Sequence, residues 1–274
     1  MKIFALALGG GGARGLAHIA VIEALDEMGV KPVAIAGTSI GALIGAAYAA
    51  GMRGKDIRRH VIGFAHDRGE TTRRLMAARV GTLADLLAGA FGRATQIDAE
   101  KFCAQFLPDA IPADFTGLAI PLTVMAADLH RRQEAPLTSG PLRAALAASI
   151  AIPGLLQPVT IDGRVLIDGG VTNPLPFDRL RGLADCIVAV DVLTVPPTER
   201  GDIPSAWECV YTTLNIMGGA ILAAKLALAA PDIVIRPHVG IFRTLDFYQA
   251  TAILRSADAV KPEVKERLGT LLAA

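Results

Sequence analysis

The chain has 274 residues, of which 52% are hydrophobic and 19% charged, and a formal net charge of +1. That length is enough to bury a substantial core, while the balanced charge, with no Lys/Arg block, leaves no electrostatic footprint for nucleic acid. The three cysteines, Cys103, Cys186 and Cys209, are odd in number and scattered, which fits small buried hydrophobes or reduced thiols in a cytoplasm rather than a disulfide framework.

Ile3 to Leu8 reads as a first strand. It is too short for a signal-peptide core, and four glycines follow where a cleavage site would stand. It runs into Gly9-Gly10-Gly11-Gly12-Ala13-Arg14-Gly15, after which a helix is expected over Leu16 to Met28 with Gly29 as its stop. A second apolar run, Val33 to Ala36, ends at Gly37, and a helical pattern begins after Gly41. Ser39 therefore falls on the corner between strand and helix. Residues 53–115 carry short Arg-rich helical patterns, including Thr82 to Phe91 and Asp98 to Phe106, and read as an inserted helical cap.

Ile120 to Ala127 reads as a strand, and Ser139-Gly140-Pro141 opens a helix that ends near Pro153. Asp162-Gly163 inside Val159 to Ile167 is a two-residue hairpin signal, and it delivers Asp168-Gly169-Gly170 at the end of the second hairpin strand. Cys186 to Val192 and Ile233 to Ile235 read as core strands and Asp258 to Leu272 as a closing helix. Trp207 to Ala230 is apolar but interrupted by Glu208, Asn215, Gly218-Gly219 and Lys225, so a buried or surface-dipping helix pair is expected there rather than a membrane span. Strands alternating with helices predict one α/β domain over 1–274 built on a largely parallel sheet, with a helical C-terminal part from about residue 200.

Gly37-Thr38-Ser39-Ile40-Gly41 has the strand-turn-helix setting of a nucleophile elbow. The loop at 9–15 admits three readings. As a dinucleotide fingerprint it matches Gly10-x-Gly12-x-x-Gly15 but lacks the acidic residue at the end of the second strand. As a P-loop it lacks the Gly-Lys-Ser/Thr ending. As an oxyanion hole it offers glycine amides unshielded by side chains and backed by a helix N-terminus. Two successive parallel strands bring both turns to one carboxyl edge of the sheet, where ligands bind in open α/β folds.

Three blocks, Gly10-Gly11-Gly12-Ala13-Arg14-Gly15, Gly37-Thr38-Ser39-Ile40-Gly41 and Asp168-Gly169-Gly170, with a fourth, Ser149-Ile150-Ala151-Ile152-Pro153, resemble in order the signature of the patatin-like phospholipase family. The resemblance covers residues 5 to about 180. It implies a three-layer α/β/α sandwich and hydrolysis of lipid acyl esters, of phospholipase A, lysophospholipase or esterase type, with no cofactor and no metal. Carried over, Ser39 is the nucleophile, Asp168 the base, and Gly10, Gly11 and Gly12 the oxyanion hole. Arg14 matches the family's basic loop position, where it shapes the loop or meets an anionic head group, and Gly15, Gly37, Gly41, Gly169 and Gly170 support the turns. Gly170 stands where many relatives have alanine. The implied partners are a lipid or acyl-ester substrate and a peripheral contact with a membrane, from a cytoplasmic location.

Two alternatives remain open at this point. A Ser-His-Asp hydrolase would need His238, since His18, His60, His66 and His130 lie in helical or polar turn contexts. A catalytically silent lipid-binding module would keep the fold without turnover.

Overall fold

The structure, a computed structural model, describes residues 2–66, 97–193 and 206–273, together with residues 69, 73, 77 and 78. The expected helix at Thr82 to Phe91 lies outside the described residues. Eight strands form one sheet: β1 (Phe4–Leu8), β2 (Ile35–Thr38), β3 (Leu122–Asp128), β4 (Gln133–Leu137), β5 (Val159–Ile161), β6 (Arg164–Asp168), β7 (Cys186–Val190) and β8 (Ile233–Ile235), in the order β5-β6-β3-β2-β1-β7-β8 with β4 also on β3. β3, β2, β1, β7 and β8 run parallel, whereas β4 and β6 lie antiparallel to β3, and β5 to β6. The expected α/β architecture on a largely parallel sheet is therefore present, with an antiparallel flank.

That flank decides where the chemistry falls. β2 pairs with the first part of β3, ending at Thr38 opposite Met125, and β6 pairs with the last part, ending at Asp168 opposite Ala126. β4 overlaps both stretches, so β2 and β6 share the other edge of β3. A parallel and an antiparallel neighbour on one edge run toward each other. Their last residues consequently meet head to head, and the residue after Thr38 is Ser39.

Among the described residues the α-helices are α1 (His18–Met28), α2 (Ile40–Ala49), α3 (Gly54–His66), α4 (Ala99–Phe106), α5 (Leu142–Ser149), α6 (Ala206–Leu228), α7 (Ala250–Ala257) and α8 (Lys261–Ala273). β1 displays the period-2 logic of a strand buried on both faces. Phe4, Leu6 and Leu8 belong to the larger core, with α1, α2, α5, α7 and α8. Ala5 and Ala7 join Leu175, Phe177, Leu180 and Leu222 of α6 in the smaller one. α1 ends as expected at Gly29, which is left-handed with φ 69°, but it begins at His18 rather than Leu16, behind a 3-10 helix over Gly12–Ala17. The hairpin turn uses positive φ at both Asp162 and Gly163, the requirement of a type I′ turn.

One expectation needs correction. α6 is one helix rather than a pair, since glycine inside a helix costs about 1 kcal/mol relative to alanine without breaking it. From Cys209 to Leu228 it is also long and apolar enough to cross a membrane by length and composition, with 11% of its most apolar window buried. Most of the middle of the region read as a cap lies outside the described residues; of the rest, α3 packs on α1 through Arg58, which pairs with the buried Glu23 at 2.6 Å, and no described residue of 53–115 lines the pocket around Ser39.

Candidate active site

Ser39 occupies the one residue between β2 and α2, with φ 54° and ψ −124°, a conformation that a residue with a side chain adopts only when its surroundings enforce it. The turn is possible because Gly41 passes against the carbonyl of Leu8, where any Cβ would collide. The Ser39 hydroxyl donates to Asp168 Oδ2 at 2.7 Å. The other carboxylate oxygen, Oδ1, accepts the Gly170 N–H at 2.7 Å. Ser39 and Asp168 are each 7% exposed. Burial pushes the Asp168 carboxyl up from 3.8 to about 6, and the hydrogen bonds from Gly170 and Ser39 hold it back.

The glycine loop passes close by: a methyl on Gly10 would sit 3.5 Å from the Ser39 Cβ. Gly10, Gly11, Gly12, Ser39, Asp168 and Gly170 all line one pocket, closed on its far side by Tyr211, Leu214, Asn215 and Gly218 of α6 and by Thr244. The sequence grouped Gly10, Gly11, Gly12 and Arg14 in one oxyanion-hole loop, and the structure divides their work. The Gly10 N–H is already given to Pro174 O at 2.9 Å, which leaves the Gly11 and Gly12 N–H groups without an acceptor among the described residues. Gly12 has φ 58°, and a Cβ there would strike the Thr244 carbonyl.

Arg14 is not a donor to the pocket. It is buried, and its guanidinium reaches Gly11 O at 3.5 Å and Thr244 Oγ1 at 3.2 Å, so it shapes the loop, as does the Ala13 N–H to Thr244 O bond of 2.7 Å. Gly15 packs on Ile40, Gly37 on Ala42 and Gly169 on the Met125 carbonyl, with no room for a Cβ at any of them.

Three contributors carried no signal of their role in the sequence. His18 is fully buried under the loop with Nε2 2.8 Å from Gly9 O. Because a carbonyl only accepts, Nε2 carries the proton, and burial lowers the imidazole to about 4, keeping it neutral. Thr244 closes on Gly12 and Arg14 from 230 residues away. Tyr211 brings a buried hydroxyl without a partner among the described residues, held neutral by burial and by the charge of Asp168. His238 is exposed and does not line the pocket. His60 bonds Phe106 O at 2.9 Å, and His130 is exposed. Of the His66 side chain nothing is described. Among the described residues no group of three His, Cys, Asp or Glu side chains is placed to hold a metal ion.

A serine on a strained elbow, a carboxylate on the neighbouring strand end and a bare glycine loop, all on one α/β sheet, define the class. The chain belongs to the patatin-like phospholipase family, whose description, "Patatin-like phospholipase", matches residues 6–181. It is 41% identical over 189 residues to an NTE family protein of Mycobacterium tuberculosis, covering 69% of this chain and 48% of that one. It is 28% identical over 268 residues to patatin-like phospholipase domain-containing protein 6 of Homo sapiens, covering 89% of this chain and 19% of that one. The chain thus spans about half the length of the mycobacterial relative and about a fifth of the human one. Among solved structures, VipD from Legionella pneumophila shares the fold, with a TM-score of 0.52 and 14% identity over 97% of this chain and 66% of that one.

Proposed function

We propose that the chain is a serine acyl hydrolase that cleaves carboxylic ester bonds of lipids through Ser39 and Asp168. The reading rests on the 2.7 Å hydrogen bond from the Ser39 hydroxyl to a carboxylate with no histidine between them. Ser39 Oγ attacks the ester carbonyl carbon while its proton passes to Asp168, and the Gly11 and Gly12 N–H groups receive the oxyanion. The tetrahedral adduct collapses by breaking the bond to the alkoxy oxygen, which takes the proton from Asp168 and leaves as the alcohol. Water then gives a proton to Asp168 and attacks the acyl-Ser39 ester. Collapse of the second adduct returns that proton to Ser39 and frees the carboxylic acid.

A carboxyl at its ordinary value is a weak base for a hydroxyl, and the upward shift of Asp168 to about 6 narrows that gap. The protein incubated with phospholipid, lysophospholipid and acylglycerol is expected to release fatty acid from at least one of them, measured by mass spectrometry. No fatty acid from any of the three would count against hydrolysis and for the lipid-binding module.

The proposal extends to where the substrate enters. α6 has one charged side chain between Cys209 and Leu228, Lys225, and it is turned inward to Asn173 Oδ1 at 2.5 Å and to Asp178. Ile216 and Met217 on its surface are 67% and 56% exposed, beside the pocket residues Asn215 and Gly218. Asn215 Nδ2 donates to Thr244 Oγ1 at 3.3 Å, joining the helix to a loop that exposes Ile241, Leu245, Phe247 and Tyr248.

This rim of exposed apolar side chains, with Arg243 the exposed charge in its loop, is read as resting on a membrane surface, with the chain peripheral to the inner face from a cytoplasmic location. A protein seated there would cover the pocket, whereas a bilayer feeds it. Ile216→Glu with Met217→Glu is expected to lower hydrolysis of phospholipid in vesicles by about tenfold or more, through lost apolar burial. A soluble short-chain ester should be turned over within about twofold of wild type. An equal loss on both substrates would count against the membrane contact.

A further inference from the structure

The dyad is held by a part of the chain that supplies none of its reacting atoms. We propose that Ser149 is the positioning residue of the site: its hydroxyl, together with the Ala151 carbonyl two residues on, fixes the backbones of Ser39 and Asp168 against each other. This rests on the Ser39–Asp168 hydrolase reading given above.

Ser149 is the last residue of α5 and fully buried. Its Oγ accepts the Ser39 N–H at 2.8 Å and lies 2.6 Å from Met125 O. The assignment has no freedom: an amide only donates and a carbonyl only accepts, so the single hydroxyl proton goes to Met125. Two residues later the Ala151 carbonyl accepts the Asp168 N–H at 3.0 Å. Three consecutive residues therefore grip the amide of the nucleophile and the amide of the base. Met125, the third party, faces Thr38 in the sheet and packs its carbonyl on Gly169, so the clamp closes through the strand that β2 and β6 share.

The strain at Ser39 gives this clamp work to do. α2 engages the Ser39 carbonyl, through the N–H groups of Ala42 at 2.9 Å and Leu43 at 3.2 Å, but offers nothing to its N–H. Without Ser149 Oγ that N–H is a buried orphan. The backbone relieves it by rotating out of its sparsely populated conformation, which swings Oγ away from Asp168. The same bond keeps the Ser39 N–H out of the oxyanion hole, so the glycine loop must supply those donors.

The full chain carrying Ser149→Ala is compared with Ser149→Thr, which keeps the hydroxyl, at a temperature where each is folded by circular dichroism. Ser149→Ala is expected to lower kcat on p-nitrophenyl butyrate about 30-fold or more with KM within about twofold, since capture of the ester in the pocket is untouched and only the aim of the hydroxyl is lost. Ser149→Thr recovers most of the loss. The acid limb of the pH profile in the Ala variant moves upward, because the Asp168 carboxylate has lost the Ser39 hydroxyl that holds its value down. Tyr211, the other titratable side chain lining the pocket, stays neutral across that range.

A second readout does not depend on turnover. The Ser39 amide should exchange with deuterium faster in Ser149→Ala than in wild type or Ser149→Thr. Wild-type kcat and an unmoved acid limb in the Ala variant would overturn the positioning role, and so would an unchanged exchange rate at Ser39, even in a protein that hydrolyses no ester. Faster exchange in Ser149→Ala, with a wild-type protein that hydrolyses no ester, would leave the clamp standing and remove the hydrolase reading instead.

Discussion

Ser39→Ala is expected to lower kcat on p-nitrophenyl butyrate by about 10⁴-fold or more, the scale on which removing the nucleophile of a serine hydrolase acts. It should also abolish covalent labelling by a fluorophosphonate probe. The size follows from what remains. Without Oγ no acyl-enzyme forms, and the pocket offers only water, the carboxylate of Asp168 and the glycine amides. The fold should survive, because alanine loses one hydrogen bond, the one to Asp168, and keeps the N–H to Ser149 and the carbonyl to α2. The double variant Ser39→Ala with Asp168→Asn is expected to lose no more than Ser39→Ala alone, since two groups that act as one unit do not add. Labelling that persists in Ser39→Ala would place the nucleophile elsewhere.

The residues that meet at the candidate site were legible because each is marked by backbone punctuation. Gly37 and Gly41 flank the corner at Ser39, four glycines end β1, and Asp162-Gly163 times the hairpin that ends at Asp168. Such turns admit few residue types, so the sequence has to declare them. What could not be read is register. No residue of β6 announces that it lies antiparallel on the edge of β3 already used by β2, yet that pairing is what sets Asp168 opposite Ser39.

β4 was missed for a local reason. Pro136 is the fourth of its five residues, opposite Met125, and a proline argues against a strand unless the strand has a free side. The division of labour in the glycine loop was hidden for a different reason. Whether Gly10 keeps a free N–H depends on Pro174, and the shape of the loop at Gly12 and Ala13 depends on Thr244, which the fold brings from more than 160 and 230 residues away. Arg14 was read at the right loop with two possible duties, and burial against Thr244 selects the structural one. In α6, Gly218-Gly219 suggested a break. Gly218 instead lets the helix pass close to Leu193 and to the Gly170 carbonyl, so it shapes the pocket wall.

Asp168→Asn is expected to separate activity from stability. On activity the loss should again be about 10⁴-fold, since an amide cannot take the Ser39 proton. On stability the sign reverses. The folded carboxyl titrates at about 6 against an ordinary 3.8, with burial as the main cause. A raised value means that the neutral acid is the form the fold prefers. Its contribution is fully present below about pH 4, is lost as pH rises from 4 to 6, and above that the folded protein carries the whole penalty of a buried charge.

At 1.36 kcal/mol per unit that penalty is about 3 kcal/mol. The asparagine variant gives part of it back, because its Oδ1 still accepts the Gly170 N–H but no longer as a charge-assisted bond. Urea unfolding should therefore find Asp168→Asn more stable than wild type by about 1–3 kcal/mol at pH 8 and nearly equal to it at pH 4. A variant that is inactive and less stable at pH 8 would mean that the carboxylate is held for structure, and that its ionised form is not the strained state which makes it a usable base.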